Sequence, residues 1–179
     1  MRLFFSETQL RHSPQQFMAA GRIVAPFEVP ERAERMAAGL RELGLSVEAP
    51  DDYGLAPIEH VHADHYVRFL QTAYAEFQAL GSAGPEVLPN VHAYVGARPD
   101  LSVRERPRAE GIIAHAGWYA GDMACAIGAG TWDGVYASAQ AAFAAARAVV
   151  DGAEEAMALC RPPGHQDYQD RSSGFCFLN

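Results

Sequence analysis

The chain contains no lysine. All 14 of its basic residues are arginine, set against 22 acidic ones, for a formal net charge of −8. A surface that acidic repels phosphate backbones and argues against nucleic acid as a partner. It mildly favours a cationic small molecule through electrostatic steering. Cysteine is scarce: Cys125, Cys160 and Cys176 make an odd count with no C-x-x-C spacing. That excludes a disulfide framework and suggests reduced thiols and a cytoplasmic setting. No run of about 18 uncharged apolar residues exists, so no membrane span is expected. Glu7 and Arg11 fall where a signal peptide would carry its apolar core. Any Asp-x-His triplet is missing too, since Asp64 and His65 are adjacent.

What is present fits one globular domain over residues 1–179, at 49% hydrophobic and 20% charged. Leu3–Phe5, Leu45–Ala49 and Ala156–Cys160 are short apolar runs bounded by breakers and read as strands. Pro30–Leu43 reads as a helix with Met36, Leu40 and Leu43 on its apolar stripe and Gly44 closing it. Asp64–Leu80 is a second helix, with Tyr66, Phe69, Leu70, Ala73, Phe77 and Leu80 aligned. Thr131 is the expected N-cap of a long Ala-rich helix ending before Gly152. Its apolar face is expected at Val135, Ala139, Ala142, Phe143, Ala146 and Val150. Strands alternating with helices predict an α/β fold with a parallel sheet between helices.

Two stretches lack a period. His12 to Phe27, with Pro14, Gly21 and Pro26, reads as loop with one helical turn. Residues 82–117 carry four prolines and are too long for a plain connector, so they read as a surface excursion. The cluster His60, His62, His65 invites a zinc reading, because imidazole suits that metal. No fourth ligand at a known spacing accompanies it, and it opens a core helix, so the three are read as structural.

The last twenty residues organise the rest. The strand ending at Cys160 runs into Arg161-Pro162-Pro163-Gly164-His165, and Gly174-Phe175-Cys176-Phe177-Leu178-Asn179 closes the chain. In open α/β sheets, chemistry sits in the loops at the carboxyl ends of strands, which is where His165 falls. A lone histidine there would be an ordinary loop residue. The whole string, however, resembles the histone deacetylase superfamily, most closely its bacterial acetylpolyamine amidohydrolase branch. That branch carries Arg-Pro-Pro-Gly-His-His followed by Gly-(Phe/Tyr)-Cys-(Phe/Tyr)-(Leu/Ile)-Asn. Weaker matches run from Met1–Glu7 through Gly117-Trp118-Tyr119 and Gly130-Thr131-Trp132.

The resemblance implies the first part of the arginase/deacetylase-like three-layer fold. It implies zinc-dependent removal of an acetyl group from an acetylated amine, with a small cationic acetylated amine as substrate. His165 matches the first of the family's paired histidines, which hydrogen-bonds the reacting water. Gln166 stands at the second, the general-base position. Phe175 matches an aromatic wall of the substrate tunnel, and Gly174 a backbone carbonyl that receives the substrate amide N–H. Glu110 matches an acid that holds a polyamine ammonium. A second such acid is replaced by Ala124, with Asp122 two residues away, and a tunnel-mouth tyrosine by Ala19. The excursion 82–117 matches a loop that helps form a homodimer and narrows the tunnel.

The family's zinc ligands have no counterparts here, so the chain reads as an incomplete domain and no residue is assigned to metal. Three other readings stay open. One is a catalytically impaired paralogue with a binding role, suggested by Gln166. Another is a Cys–His hydrolase using Cys176 or Cys160 with His165. The most distant is an arginase-like ureohydrolase.

Overall fold

The computed structural model describes residues 1–93 and 105–179. Strand β1 (Arg2–Phe4) lies between β4 (Val47–Glu48) and β5 (Ala156–Ala158), and both pairings are parallel. Leu3 sits opposite Val47 on one side and Met157 on the other. Successive side chains of a strand alternate between faces, and here that alternation separates two cores. Leu3, Phe5 and Leu159 pack on helix α1 (Pro30–Glu42) through Ala33 and Ala37. Phe4 packs on helix α5 (Thr131–Val150) through Ala141, Ala144, Ala145 and Ala148. The parallel α/β arrangement predicted from the sequence is therefore the one observed.

A third and larger core joins helix α2 (Ala56–Val61), helix α3 (Asp64–Gln78) and helix α4 (Ile112–Tyr119) to the end of the chain. Tyr66, Phe69, Leu70, Ala73 and Phe77 are buried in it as the α3 stripe predicts, and Phe177 and Leu178 join them. Leu80 lies beyond the helix and is exposed.

Several expectations are corrected. The buried face of α5 is Thr131, Gly134, Val135, Ala137, Ser138, Gln140, Ala141, Ala144, Ala145 and Ala148. Of the expected stripe only Val135 is buried; Ala142, Phe143, Ala146 and Val150 face outward. Phe143 instead packs on Tyr53 and lines a groove of ≈810 Å³ with Pro57 and Leu178. Close approach explains the choice of small residues. A Cβ at Gly134 would come within 2.7 Å of the His12 Cβ, so only a surface without side chains lets α5 lie against the 3-10 helix Glu7–Arg11. On α1, likewise, Ala33 and Ala37 face the sheet, and Met36 and Leu43 are exposed.

Thr131 is the first helical residue of α5, not its cap. Its hydroxyl accepts the Gly128 N–H at 2.8 Å and pairs with His12 Nδ1 at 3.1 Å. The segment read as loop before Phe27 contains an antiparallel hairpin, β2 (Phe17–Ala19) with β3 (Arg22–Val24). Ala20 and Gly21 both have positive φ, at 48° and 76°, which suits a two-residue hairpin turn. The excursion 82–117 also gives up its last residues to α4. Its residues 94–104, on which the dimer and tunnel expectation partly falls, lie outside the described residues.

Candidate active site

The motif after β5 is fastened at four places before it presents any chemistry. Arg161 is 2% exposed, and its Nε faces Glu28 Oε1 at 2.9 Å. The same guanidinium donates to the carbonyls of His12 at 2.5 Å and Gln9 at 3.3 Å, and the Arg161 N–H donates to Gln9 Oε1 at 2.6 Å. The Ser138 hydroxyl of α5 donates to the Pro162 carbonyl at 2.8 Å, and the Tyr66 hydroxyl of α3 to that of Phe177 at 2.8 Å. The Asn179 N–H donates to His62 Nε2 at 2.8 Å. With its side-chain amide turned to donate, Asn179 also reaches the Gly164 carbonyl at 2.9 Å and Asp167 Oδ1 at 3.2 Å.

Between these anchors, His165, Gln166, Gly174 and Phe175 come to one cavity of ≈380 Å³, shared with Glu28 and Arg32. Residues 173–176 form a tight turn. Ser173 N–H donates to the Cys176 carbonyl at 3.1 Å, and Cys176 N–H to that of Ser173 at 2.9 Å. The two central residues, Gly174 and Phe175, have φ of +57° and +69°, the sign pattern of a mirror-image hairpin turn. Phe175 is thus held in a backbone state that L residues rarely adopt, and its ring projects toward Phe17 of β2, centroids 5.3 Å apart. A Cβ at Gly174 would collide with the Gln166 amide, so the Gln166 side chain lies directly over the Gly174 α-carbon.

Glu110 is exposed just before α4 and does not line this cavity. His60 is exposed, and His65 Nδ1 pairs with the Tyr119 hydroxyl at 3.1 Å. Among the described residues no group of three or more His, Cys, Asp or Glu could hold a metal ion. The described residues therefore do not fit a zinc site by themselves. Burial pushes the thiols of Cys160 and Cys176 up, away from the thiolate that a cysteine nucleophile needs. Cys176 is fully buried, and its Sγ contacts the Gly174 carbonyl at 3.6 Å.

Two acids here were not singled out as binding residues in the sequence. Asp122 accepts the Gly174 N–H at 2.7 Å through Oδ2. Asp167 is buried, with Oδ2 3.7 Å from His62 Nε2, and burial raises its carboxyl to about 7. His62 Nε2 accepts the Asn179 N–H, so its proton belongs on Nδ1, which faces the Gln169 carbonyl at 3.2 Å. A neutral Asp167 beside that lone pair is the consistent state.

The linkage has a definite sign. The native chain keeps the Asp167 proton that an unfolded chain releases near pH ~3.9, so this group's contribution to stability is lost as pH rises from ~4 to about 7. His12 works oppositely, since burial lowers it to about 3 and its contribution is lost as pH falls below ~6.5. Asp167→Asn removes the first trend alone. Its urea midpoint relative to the parent should climb between pH ~4.5 and ~7 and then level off; parallel curves would contradict the assignment.

Residues 26–179 match the histone deacetylase domain. The chain belongs to the histone deacetylase family. It is 43% identical to an acetylpolyamine amidohydrolase of Burkholderia pseudomallei over all of this chain and 50% of that protein. It is 36% identical to acetylpolyamine amidohydrolase 1 of Pseudomonas aeruginosa, over 98% of this chain and 49% of the relative. A crystal structure of the acetylpolyamine aminohydrolase from Burkholderia pseudomallei superposes with a TM-score of 0.90 and again covers all of this chain and 50% of its own. The chain thus spans about half the length of the curated relatives it matches. Enzymes of this family are in general metal-dependent.

Proposed function

We propose that this chain is the amino-terminal part of a zinc-dependent amidohydrolase that removes the acetyl group from an acetylated amine, a small cationic acetylpolyamine above all. The observation that carries the reading is the convergence of His165, Gln166, Gly174 and Phe175 on one cavity. Phe175 offers an apolar wall to the methylene chain of the substrate, and the Gly174 carbonyl offers an acceptor to the amide N–H. His165 supplies an imidazole, the one side chain of the four able to act as a general acid or base. Zinc ligands are not among the described residues of this chain, and the reading requires them from the rest of the fold that its relatives possess. Glu110 as an ammonium contact, the homodimer and a cytoplasmic setting belong to the same proposal.

The test is acetate release from an N-acetylated polyamine by the zinc-supplied protein that carries this chain, compared with its His165→Ala variant. Release that the variant abolishes supports the reading, and release unaffected by the variant overturns it.

A second reading is favoured by Gln166. An amide cannot accept a proton near neutral pH, and a missing general base costs about 10²–10⁴ in rate. The protein is then a slow amidohydrolase with a binding role. Gln166→His is expected to raise turnover at least about tenfold, measured as kcat for acetate release. No gain would show that Gln166 is not limiting.

A further inference from the structure

The Gly174–Phe175 turn carries two left-handed residues, and one of them is a phenylalanine. Such a turn needs holding from outside. The Phe17 ring supports it laterally, with Phe27 behind at 6.1 Å. Its shortest side-chain polar contacts go to one carboxylate. Asp122 Oδ2 accepts the Gly174 N–H at 2.7 Å and the Ser173 hydroxyl at 3.2 Å, while Oδ1 accepts the Ala124 N–H at 2.8 Å. The segment that carries Asp122 is itself laced to the motif. Gly121 N–H donates to the Ser172 carbonyl at 2.7 Å, and Ser172 N–H to that of Tyr119 at 2.9 Å. Asp122 is not among the residues lining the cavity, and two of its three hydrogen bonds go to the turn.

We propose that Asp122 is the positioning residue that sets the Gly174 carbonyl and the Phe175 ring for the acetylated amine. This rests on the function proposed above. An acid suits the place because three donors converge on it and no acceptor does. Asparagine would keep the volume and the bond to Ala124 but turn an NH₂ group toward the Gly174 N–H and the Ser173 hydroxyl. The turn would lose its fastening, and the Phe175 backbone would relax toward the ordinary right-handed region.

The experiment is Asp122→Asn with two readouts. The first is amide hydrogen exchange. Gly174 should exchange at least about tenfold faster in the variant, as expected for loss of a hydrogen bond to a charged group, while the amides of Ala141 and Ala144 in α5 stay unchanged. The second is the split of kinetic constants for an N-acetylated polyamine. Contacts made equally in ground and transition states act on KM, so KM should rise about tenfold with kcat nearly unchanged. A variant that only loosened the fold would speed exchange in α5 as well, and that result overturns the proposal. Unchanged Gly174 exchange overturns it, as does faster exchange with an unaltered KM. Faster exchange at Gly174 in a protein whose parent releases no acetate supports the hold on the turn and overturns the proposed function instead. Should Asp122→Asn fail to fold, Ser173→Ala decides, since removing one of the two donors to Oδ2 should still speed Gly174 exchange by about threefold.

Discussion

Arg161→Leu is expected to lower the unfolding free energy by about 3–5 kcal/mol, because a buried carboxylate loses its 2.9 Å partner and is left with the exposed Arg32 at 3.3 Å, while the His12 carbonyl loses a donor. Glu28 is 3% exposed, and burial already pushes its carboxyl above the usual range, with Arg161 and Arg32 opposing that rise. Without the guanidinium, the His12 carbonyl loses its 2.5 Å donor and the Gln9 carbonyl keeps only the His12 N–H at 3.3 Å. The loss is an argument about one missing partner, not about the worth of the pair, since desolvating two charges offsets much of their attraction. The double variant Arg161→Leu/Glu28→Gln should therefore recover part of the stability, with a coupling of about 1–3 kcal/mol. Arg161→Lys should fall between the two, because an ammonium cannot span the carboxylate and both carbonyls as a planar fork does. Urea titration of the four proteins checks this, and a loss under about 1 kcal/mol for Arg161→Leu contradicts it.

Gly174→Ala should separate stability from activity. With φ at +57°, an added Cβ costs about 1–2 kcal/mol in backbone energy alone. It also collides with the Gln166 side chain, so the turn must shift and take the Gly174 carbonyl and Phe175 ring with it. A displacement of about 1 Å in a substrate-positioning group can cost about 100-fold in rate. We expect kcat/KM for an N-acetylated polyamine to fall by about that factor while the protein stays folded. Gln166→Ala in the same chain relieves the collision but not the φ, so it should restore only part of the activity. Activity within about threefold of the parent for Gly174→Ala would mean that this turn does not position substrate.

How far the sequence reached depended on where the information lay. Arg161–His165 and Gly174–Asn179 were legible because many unusual residues stand close together in a fixed order, and the structure brings five of them, Arg161, Pro163, His165, Gly174 and Phe175, to one cavity. The parallel sheet was legible because three short apolar runs alternate with helical periods. The sequence does not show the face of α5 because large side chains such as Phe143 and Val150 lie outside it, whereas close packing selects alanine against the sheet and Gly134 against the 3-10 helix. A helix that must approach a neighbour closely hides its buried face from any reading based on large side chains. The β2–β3 hairpin was invisible because each strand is three residues long and its turn is Ala20-Gly21, without the Asn-Gly or Asp-Gly signal. In the sequence Asp122 stands out only as the neighbour of Ala124. Its role depends on a contact 52 residues away, which no local pattern encodes.

The central claim is that His165 and the Gly174–Phe175 turn serve hydrolysis of an acetylated amine. The most direct measurement is acetate released from an N-acetylated polyamine by the zinc-supplied protein carrying this chain, side by side with His165→Ala. The account predicts release that falls by about 100-fold or more in the variant, the size of a lost acid–base group. Equal release by both proteins, or none by the parent and by its Gln166→His form, would contradict it.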